Sequence, residues 1–257
     1  MKITHISSRD NALLARLRKL ARRPTGYRQD GQALLEGKNL CEAWAGHGAG
    51  PAQHALVSEP AWRSGELAQL ANTALAIAVV AEAAMADLGM LATPVPIAFV
   101  IDLPATPEIA AAMPTVVLDR VQDPGNVGSI LRSASAFGFS QIIAIRGTAA
   151  LWSGKVLRAG MGAHFGLRLV EGAEAVDLER LAIPLLTTSS HASAALPDLA
   201  LEWPCAWVFG NEGEGVATAL LDRCQAQARI PQPGGGESLN VAAAAAVCLY
   251  ESMRRLS

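Results

Sequence analysis

The sequence has few of the features that mark membrane, secreted or metal-binding proteins. Its apolar runs are short, eight residues at 74–81 and ten at 241–250, whereas a membrane-spanning helix needs about 20. The four cysteines are scattered and form no Cys-x-x-Cys pair, so we expect free, buried thiols and no disulfide or metal site. The first residues lack the apolar core of a signal peptide. These absences predict a cytoplasmic protein.

Two common phosphate-binding signatures are also missing, Gly-x-Gly-x-x-Gly after a first strand and Gly-x-x-x-x-Gly-Lys-Ser/Thr. Charge is present but unevenly distributed. The whole chain carries −2, while residues 1–30 carry +6 from eight Lys and Arg against two Asp. A basic N-terminal segment on an otherwise acidic chain predicts either a phosphate-binding element or a solvated helix face.

Hydrophobic periodicity predicts two α/β units. In the first, a helix begins at Ser8–Asn11 with Leu13, Leu17 and Leu20 at helical spacing. A helix over 38–45 and other Ala-rich helices then accompany short strands at 33–36, 55–57 and 97–101. In the second, helices near 126–137, 153–163 and 173–181 alternate with apolar strands at 116–118, 142–145, 167–170, 185–188, 206–209 and 226–230.

Short apolar strands between helices indicate a parallel sheet covered on both faces. Pro104, Pro107 and Pro114 interrupt the pattern between the two units. We therefore expect an N-terminal domain over 1–103, a linker over 104–114 and a C-terminal domain over 115–257.

Two glycine-bearing segments follow predicted strands, and ligands dock at the carboxyl ends of strands in open α/β sheets. In residues 123–135, Asn126 stands where a helix begins, and Arg132 lies one turn beyond Gly128 and Ser129. In residues 209–215, three glycines expose the backbone while Glu212 and Glu214 make the loop acidic. An acidic loop favours a neutral or cationic ligand over a phosphate. A tight turn and a flexible acidic loop are the purely structural alternatives.

A third segment, residues 230–241, precedes the last helix. Ser238 is a suitable N-cap for that helix. Ala242–Ala246 leave the first turns without bulky side chains, so we expect close packing against another backbone or a second subunit.

Together, segments 119–138, 207–215 and 230–241 resemble the three motifs of the SpoU (TrmH) family of RNA 2′-O-methyltransferases. The N-terminal part is similar to this family's substrate-binding domain. The resemblance implies methyl transfer from S-adenosylmethionine to a ribose 2′-hydroxyl of ribosomal or transfer RNA. It also implies a parallel sheet with a C-terminal trefoil knot, and a homodimer with its active site near the subunit interface.

The resemblance also implies roles for individual residues. Arg132 would act at the ribose and its phosphate, and Asn126 would hold that arginine or the ribose. Glu212, Ser238 and Asn240 would shape the catalytic site. The cofactor pocket would be lined by Thr187, Gly210, Ile230, Ser238 and Leu239, with Thr188 close by. Two alternatives stay open, a knotted methyltransferase that modifies a base and a non-catalytic RNA-binding factor.

Overall fold

The computed structural model describes residues 2–48, 50–89, 94–235 and 238–256. The strands are β1 (Lys2–Ile6), β2 (Gln32–Glu36), β3 (His54–Ser58), β4 (Ala76–Val80), β5 (Ile97–Asp102), β6 (Thr115–Leu118), β7 (Gln141–Ile145), β8 (Arg168–Ala173), β9 (Leu185–Thr188), β10 (Ala206–Phe209) and β11 (Ala226–Ala228). The helices are α1 (Ala12–Arg22), α2 (Tyr27–Asp30), α3 (Lys38–His47), α4 (Glu59–Ser64), α5 (Ala68–Ala71), α6 (Glu82–Ala86), α7 (Pro124–Ala136), α8 (Gly154–Gly160), α9 (Thr218–Leu221) and α10 (Val241–Arg254). Three 3₁₀ segments cover Ala163–Gly166, Ala175–Arg180 and Leu196–Asp198.

The first compact unit contains Met1–Ala105 together with Trp152–Phe165. Its five-stranded sheet has the order β1-β4-β3-β5-β2, in which β5 runs antiparallel to β3 and β2. α1 buries Leu14, Leu17 and Leu20, whereas the predicted contact residue Leu13 is half-buried. β4 occupies the Ala-rich stretch in which helices were expected, because its β-branched residues suit a buried strand between two neighbours.

Residues 152–165 pack in the first unit, although their sequence position predicts a place in the C-terminal domain. α8 contacts β2, and its Val156 and Leu157 are buried. The guanidinium of Arg158 lies 3.4 Å from the carboxylate of Glu36, whose side chain is only 4% exposed. The compact units thus divide the chain differently from the predicted boundaries, and the division into functional domains stays a prediction.

The second unit contains Thr106–Leu151 and Gly166–Ser257. Its six strands are all parallel in the order β11-β9-β10-β6-β7-β8. The predicted parallel sheet is therefore confirmed. β6, β7 and β10 are buried along their whole length, which explains why they are apolar except for the first residues of β6 and β7. α7 and α10 pack against each other, and α10 also contacts β10.

Two helices of this unit begin differently from expectation. α7 starts at Pro124, and its N-cap is Asp123, whose carboxylate accepts the N–H of Asn126 at 2.8 Å. α10 is capped by Asn240, whose Oδ1 accepts the N–H groups of Ala242 and Ala243 at 2.9 and 3.2 Å. Ser238 is therefore not the N-cap, because a capping side chain must reach the second and third N–H groups of its helix.

No helix in the described ranges is both long and apolar enough to cross a bilayer. Those ranges also contain no group of three or more His, Cys, Asp or Glu residues placed to hold a metal ion. All four cysteines are free, and burial raises the pKa of each thiol, that of Cys205 to about 11.

Candidate functional site

A pocket of about 640 Å³ opens at the carboxyl ends of β9 and β10 and extends to the first turn of α10. It is lined by residues 188–191, 209–216 and 238–241, by Ala244, and by Leu221, Gln227, Ile230 and Gln232. We call it the glycine-loop pocket, after the glycine loop of residues 210–216. Its place agrees with the rule that open α/β sheets bind ligands beyond the carboxyl ends of their strands.

The glycine loop folds back on itself. The backbones of Asn211 and Gly215 exchange two hydrogen bonds of 3.0 and 2.9 Å. The side-chain oxygen of Asn211 accepts the N–H groups of Gly213 and Glu214. A Cβ on Gly210 would lie only 2.2 Å from the carbonyl carbon of Gly215. Gly210 is therefore required because no side chain fits where the two arms of the loop meet.

Most of the predicted cofactor residues line this pocket. Gly210, Ile230, Ser238 and Leu239 do so, as do the predicted catalytic residues Glu212 and Asn240. Thr187 does not, because it is fully buried and its hydroxyl donates to the carbonyl oxygen of Val208 at 2.9 Å. Its neighbour Thr188 lines the pocket instead. Two residues of the third sequence segment, Gly236 and Glu237, lie outside the described residues.

A chain of hydrogen bonds joins the three sequence motifs. Nδ2 of Asn126, on α7, donates to the carboxylate of Glu212 at 3.0 Å. Oδ1 of Asn126 accepts from Nδ2 of Asn240 at 3.0 Å. Asn126 thus connects the glycine loop to the start of α10. The structure places this side chain between two partners in the protein, whereas the resemblance implied a contact to the arginine or the ribose.

The carboxylate of Glu212 is held in its ionised form. Partial burial alone would raise its pKa, but hydrogen bonds from the Asn126 side chain, its own backbone N–H and those of Gln122 and Asp123 outweigh this effect and lower the pKa. The N–H groups of Gln122 and Asp123 each lie 3.2 Å from a carboxylate oxygen. Glu212 is therefore a charged acceptor at neutral pH that ties the glycine loop to the turn before α7.

Arg132 lies on the exposed face of α7, six residues beyond Asn126. Within the described part of the chain, its guanidinium forms no hydrogen bond or ion pair. It does not line the glycine-loop pocket. Arg132 is therefore available to an external anion while it belongs to the same helix as Asn126.

Three residues near the pocket have no role in the sequence-based interpretation. His191 lines the pocket after β9. Asp119 and Arg120 follow β6. Arg120 donates to Glu214 of the glycine loop, and Asp119 accepts from Ala217 directly after it. The sequence could have indicated these residues only by their positions, since each follows an apolar strand of the same parallel sheet. This indication is weak because any polar residue after a strand would share it.

The model of the SpoU rRNA methylase family matches residues 113–250. The chain belongs to this family. The match covers every predicted site residue and confirms the family predicted from the sequence motifs.

Proteins of similar sequence and structure can be aligned over most of the chain. The 23S rRNA (guanosine(2553)-2′-O)-methyltransferase RlmP of Bacillus subtilis (strain 168) is 31% identical over 84% of this chain and 86% of its own. An "uncharacterized tRNA/rRNA methyltransferase" of Synechocystis sp. is 31% identical over 98% of this chain and 94% of its own. A crystal structure of an AdoMet-bound rRNA methyltransferase from Sinorhizobium meliloti superimposes with a TM-score of 0.85 at 25% identity, over 99% of both chains.

Proposed function

We propose that this SpoU family member transfers a methyl group from S-adenosylmethionine to a ribose 2′-hydroxyl of ribosomal or transfer RNA. The hydrogen-bonded chain Glu212–Asn126–Asn240 is the observation that carries the proposal. It connects the wall of the glycine-loop pocket to the helix that bears the exposed Arg132. A donor pocket and an acceptor-binding cation are thereby held on one framework, as alignment of two reactants requires.

The glycine-loop pocket has the chemistry that S-adenosylmethionine needs. Its volume of about 640 Å³ lies within the usual range for small-molecule sites, about 300–1,000 Å³. Phe209, Ile230 and Leu239 supply apolar surface for a purine ring. The carboxylates of Glu212 and Glu214 favour a ligand that carries positive charge. The cofactor supplies a methyl group that its positive sulfur already activates.

The remaining work of the protein is to place the ribose hydroxyl and help to remove its proton. We assign Arg132 to the phosphate of the acceptor nucleotide, because a guanidinium binds phosphate through two parallel hydrogen bonds. Arginine stays protonated at neutral pH, so Arg132 acts by clamping the phosphate and by lowering the pKa of the hydroxyl. Asn126, Glu212 and Asn240 fix the position of α7 relative to the donor pocket, and Ser238 faces that pocket.

Ribosomal RNA is the first substrate to test, since the relative from Bacillus subtilis is named as a 23S rRNA methyltransferase. RNA from cells with and without the protein would be digested to nucleosides, and each methylated nucleoside would be identified by mass spectrometry. We expect one 2′-O-methylnucleoside to be absent from cells that lack the protein. Loss of a base-methylated nucleoside would favour the knotted base methyltransferase, and an unchanged profile would favour the non-catalytic RNA-binding factor.

Four further features belong to this proposal. Residues 1–103 would bind the substrate RNA, and the protein would act in the cytoplasm, where its RNA is found. The C-terminal segment would form the family's trefoil knot.

The last feature is a homodimer. α10 carries an exposed row of Ala243, Val247 and Tyr250 at helical spacing. Val247 and Tyr250 are 41% and 48% exposed. Ala244 and Ala245 lie on the opposite, buried side of this helix. An apolar row on the outer face of a helix is typical of a surface that a second subunit covers.

A further inference from the structure

Asp119 carries a carboxylate that is almost completely buried beside the glycine loop. Its side chain is 1% exposed. Its two oxygens accept from Nε and Nη2 of Arg120 at 2.9 and 3.1 Å. Oδ2 also accepts the backbone N–H of Ala217 at 2.7 Å, directly after the loop. A buried carboxylate is tolerated only when it is paired and hydrogen-bonded in this way.

Arg120 extends these contacts along the loop. Its Nη1 lies 2.6 Å from Glu214, and its Nη2 lies 3.5 Å from the carbonyl oxygen of Gly215. Its own carbonyl oxygen accepts from the side chain of Asn211 at 3.0 Å. Together, Asp119 and Arg120 therefore bind the loop near its start, at its tip and just after its end.

The backbone of Arg120 is held in an unfavourable conformation. Its φ is +56°, in the left-handed region that residues with a side chain rarely adopt. Its N–H donates to the hydroxyl of Thr148 at 3.1 Å, and that hydroxyl donates to the carbonyl oxygen of Leu118. Strained residues of this kind persist where the surrounding contacts hold the backbone in place, and they are common at functional sites.

We propose that Asp119 and Arg120 are positioning residues that hold the glycine loop in the shape that binds the cofactor. Neither residue lines the pocket, so both act through the loop. The inference rests on the proposed function, because it takes S-adenosylmethionine as the ligand of the pocket. The ion pair to Glu214 contributes least, since that side chain is 73% exposed and exposed pairs are weak.

The test is S-adenosylmethionine binding to the full-length protein by titration calorimetry. Arg120→Ala should raise the Kd about 10-fold, the scale for losing charge-assisted hydrogen bonds. Arg120→Lys should show a similar rise, because an ammonium group cannot reproduce the forked contacts of a guanidinium. Arg120→Gly, which suits the left-handed backbone, replaces Arg120→Ala if the alanine variant does not fold.

Arg146→Ala is the matched control. It removes an exposed arginine that lies 3.0 Å from Glu174, and that pair does not line the pocket. Its Kd should equal that of the wild type. In methylation assays, Arg120→Ala should raise the KM for the cofactor and leave kcat at saturating cofactor within about 3-fold. A lower kcat with an unchanged KM would assign Arg120 a merely structural role and overturn the proposal.

Unchanged binding by the Arg120 variants would also overturn it, because it would show that the loop keeps its shape without them. If the wild-type protein failed to bind S-adenosylmethionine at all, the proposed function would fail, and this result is distinct from the other two.

Discussion

The side chain of Asn126 shows how a single residue can fix the geometry of a site. A carboxylate only accepts hydrogen bonds, so the NH₂ group of Asn126 must face Glu212. Its oxygen is then directed to the NH₂ group of Asn240. The oxygen of Asn240 is in turn occupied by the first N–H groups of α10. Each amide therefore has one possible orientation, and the order of donors and acceptors leaves no freedom for substitution.

Asn126→Asp should disrupt this order, because it places a second carboxylate against Glu212. We expect methylation to fall at least ~10-fold at neutral pH, since repulsion separates α7 from the glycine loop. Like charges raise the pKa of one member of the pair, so activity should recover partly as the pH falls and that member is protonated. Rates would be measured between pH 5 and 8 with Ser135→Ala, on the exposed side of α7, as the control. A loss that does not depend on pH would contradict this explanation.

Arg132 gives the sharpest prediction for a single residue. Arg132→Ala should reduce the methylation rate at least ~10²-fold, the scale for losing one charge-stabilising group. S-adenosylmethionine affinity should stay constant, because Arg132 does not line the pocket. Arg132→Lys should rescue little, since a point charge cannot replace two parallel hydrogen bonds to phosphate. Single-turnover assays on the RNA would measure this effect. A variant with the wild-type rate would show that another group activates the ribose hydroxyl.

At the scale of elements, the glycine loop depends on a close approach between its own two arms. Gly210→Ala should greatly weaken S-adenosylmethionine binding, because the new Cβ would lie 2.2 Å from backbone atoms that cannot move independently. Gly213→Ala is the matched variant in the same loop. Its Cβ would meet only the side-chain oxygen of Asn211, at 3.6 Å, so the loss should be much smaller. Calorimetry would compare the two, and equal affinities would show that the loop adapts.

The three glycines of this loop, which expose its backbone, suggest a different reason for Gly210, namely that a side chain there would fill the pocket. The structure shows that a Cβ there would collide with Gly215 and Val216 first. A larger residue such as valine would therefore test the integrity of the loop and not the volume of the pocket. The distinction matters because the alanine variant adds only a Cβ, so it tests the loop without adding further bulk.

The basic helix α1 divides into two groups of cations. Arg16 donates to Gln32, and Arg18 pairs with Asp87. Lys19 and Arg23 are exposed and make no polar side-chain contact within the described ranges. Arg22 is 62% exposed and lies 3.6 Å from Asp87. These three, Lys19, Arg22 and Arg23, are the cations best placed to meet phosphates, although the initial charge pattern did not separate them from the others.

Replacing Lys19, Arg22 and Arg23 together by alanine should reduce the salt dependence of RNA binding. Each lost phosphate contact should lower the slope of log K against log salt by about 0.7–0.9. Arg16→Ala is the control, because that guanidinium is engaged with Gln32. Filter binding between 50 and 300 mM salt would measure both slopes. An unaltered slope would indicate that α1 is a solvated helix face.

At the scale of the whole molecule, the exposed row on α10 predicts association with a second copy. Val247→Glu should convert a dimer to a monomer, because it places a charge in an interface that must exclude water. Val176→Glu, a change at an apolar residue of the same unit that is 54% exposed, should not change the mass. Light scattering at micromolar concentration would determine both masses. A wild-type monomer would remove the basis for a shared active site.

The packing of residues 152–165 determines which fragments of the chain keep their buried side chains covered. Residues 152–165 are part of the family match but pack in the first unit, where Val156 and Leu157 are buried. A fragment that begins near residue 112 would expose these side chains to water. We therefore expect the full chain to be the better material for cofactor-binding measurements.

The sequence by itself determined the family, the cofactor and the reaction, because short motifs of specific residue types carry this information. It also predicted the parallel sheet, since strands buried on both faces have uninterrupted apolar sequences. Local sequence patterns gave the wrong secondary structure where a helix and a strand can have the same composition. The Ala- and Val-rich stretch at 76–80 became β4 because neighbouring strands were available on both sides. No local pattern contains that information.

Only the tertiary structure decided which polar groups meet. Asn126 lies 86 residues before Glu212 and 114 residues before Asn240, yet the three form one hydrogen-bonded chain. Asp119 and Arg120 reach Glu214 and Ala217 across a similar distance. Parallel strands bring their carboxyl ends to one edge whatever their separation in sequence. Side-chain partners across that edge depend on strand order and loop shape, so they cannot be read from the motifs themselves.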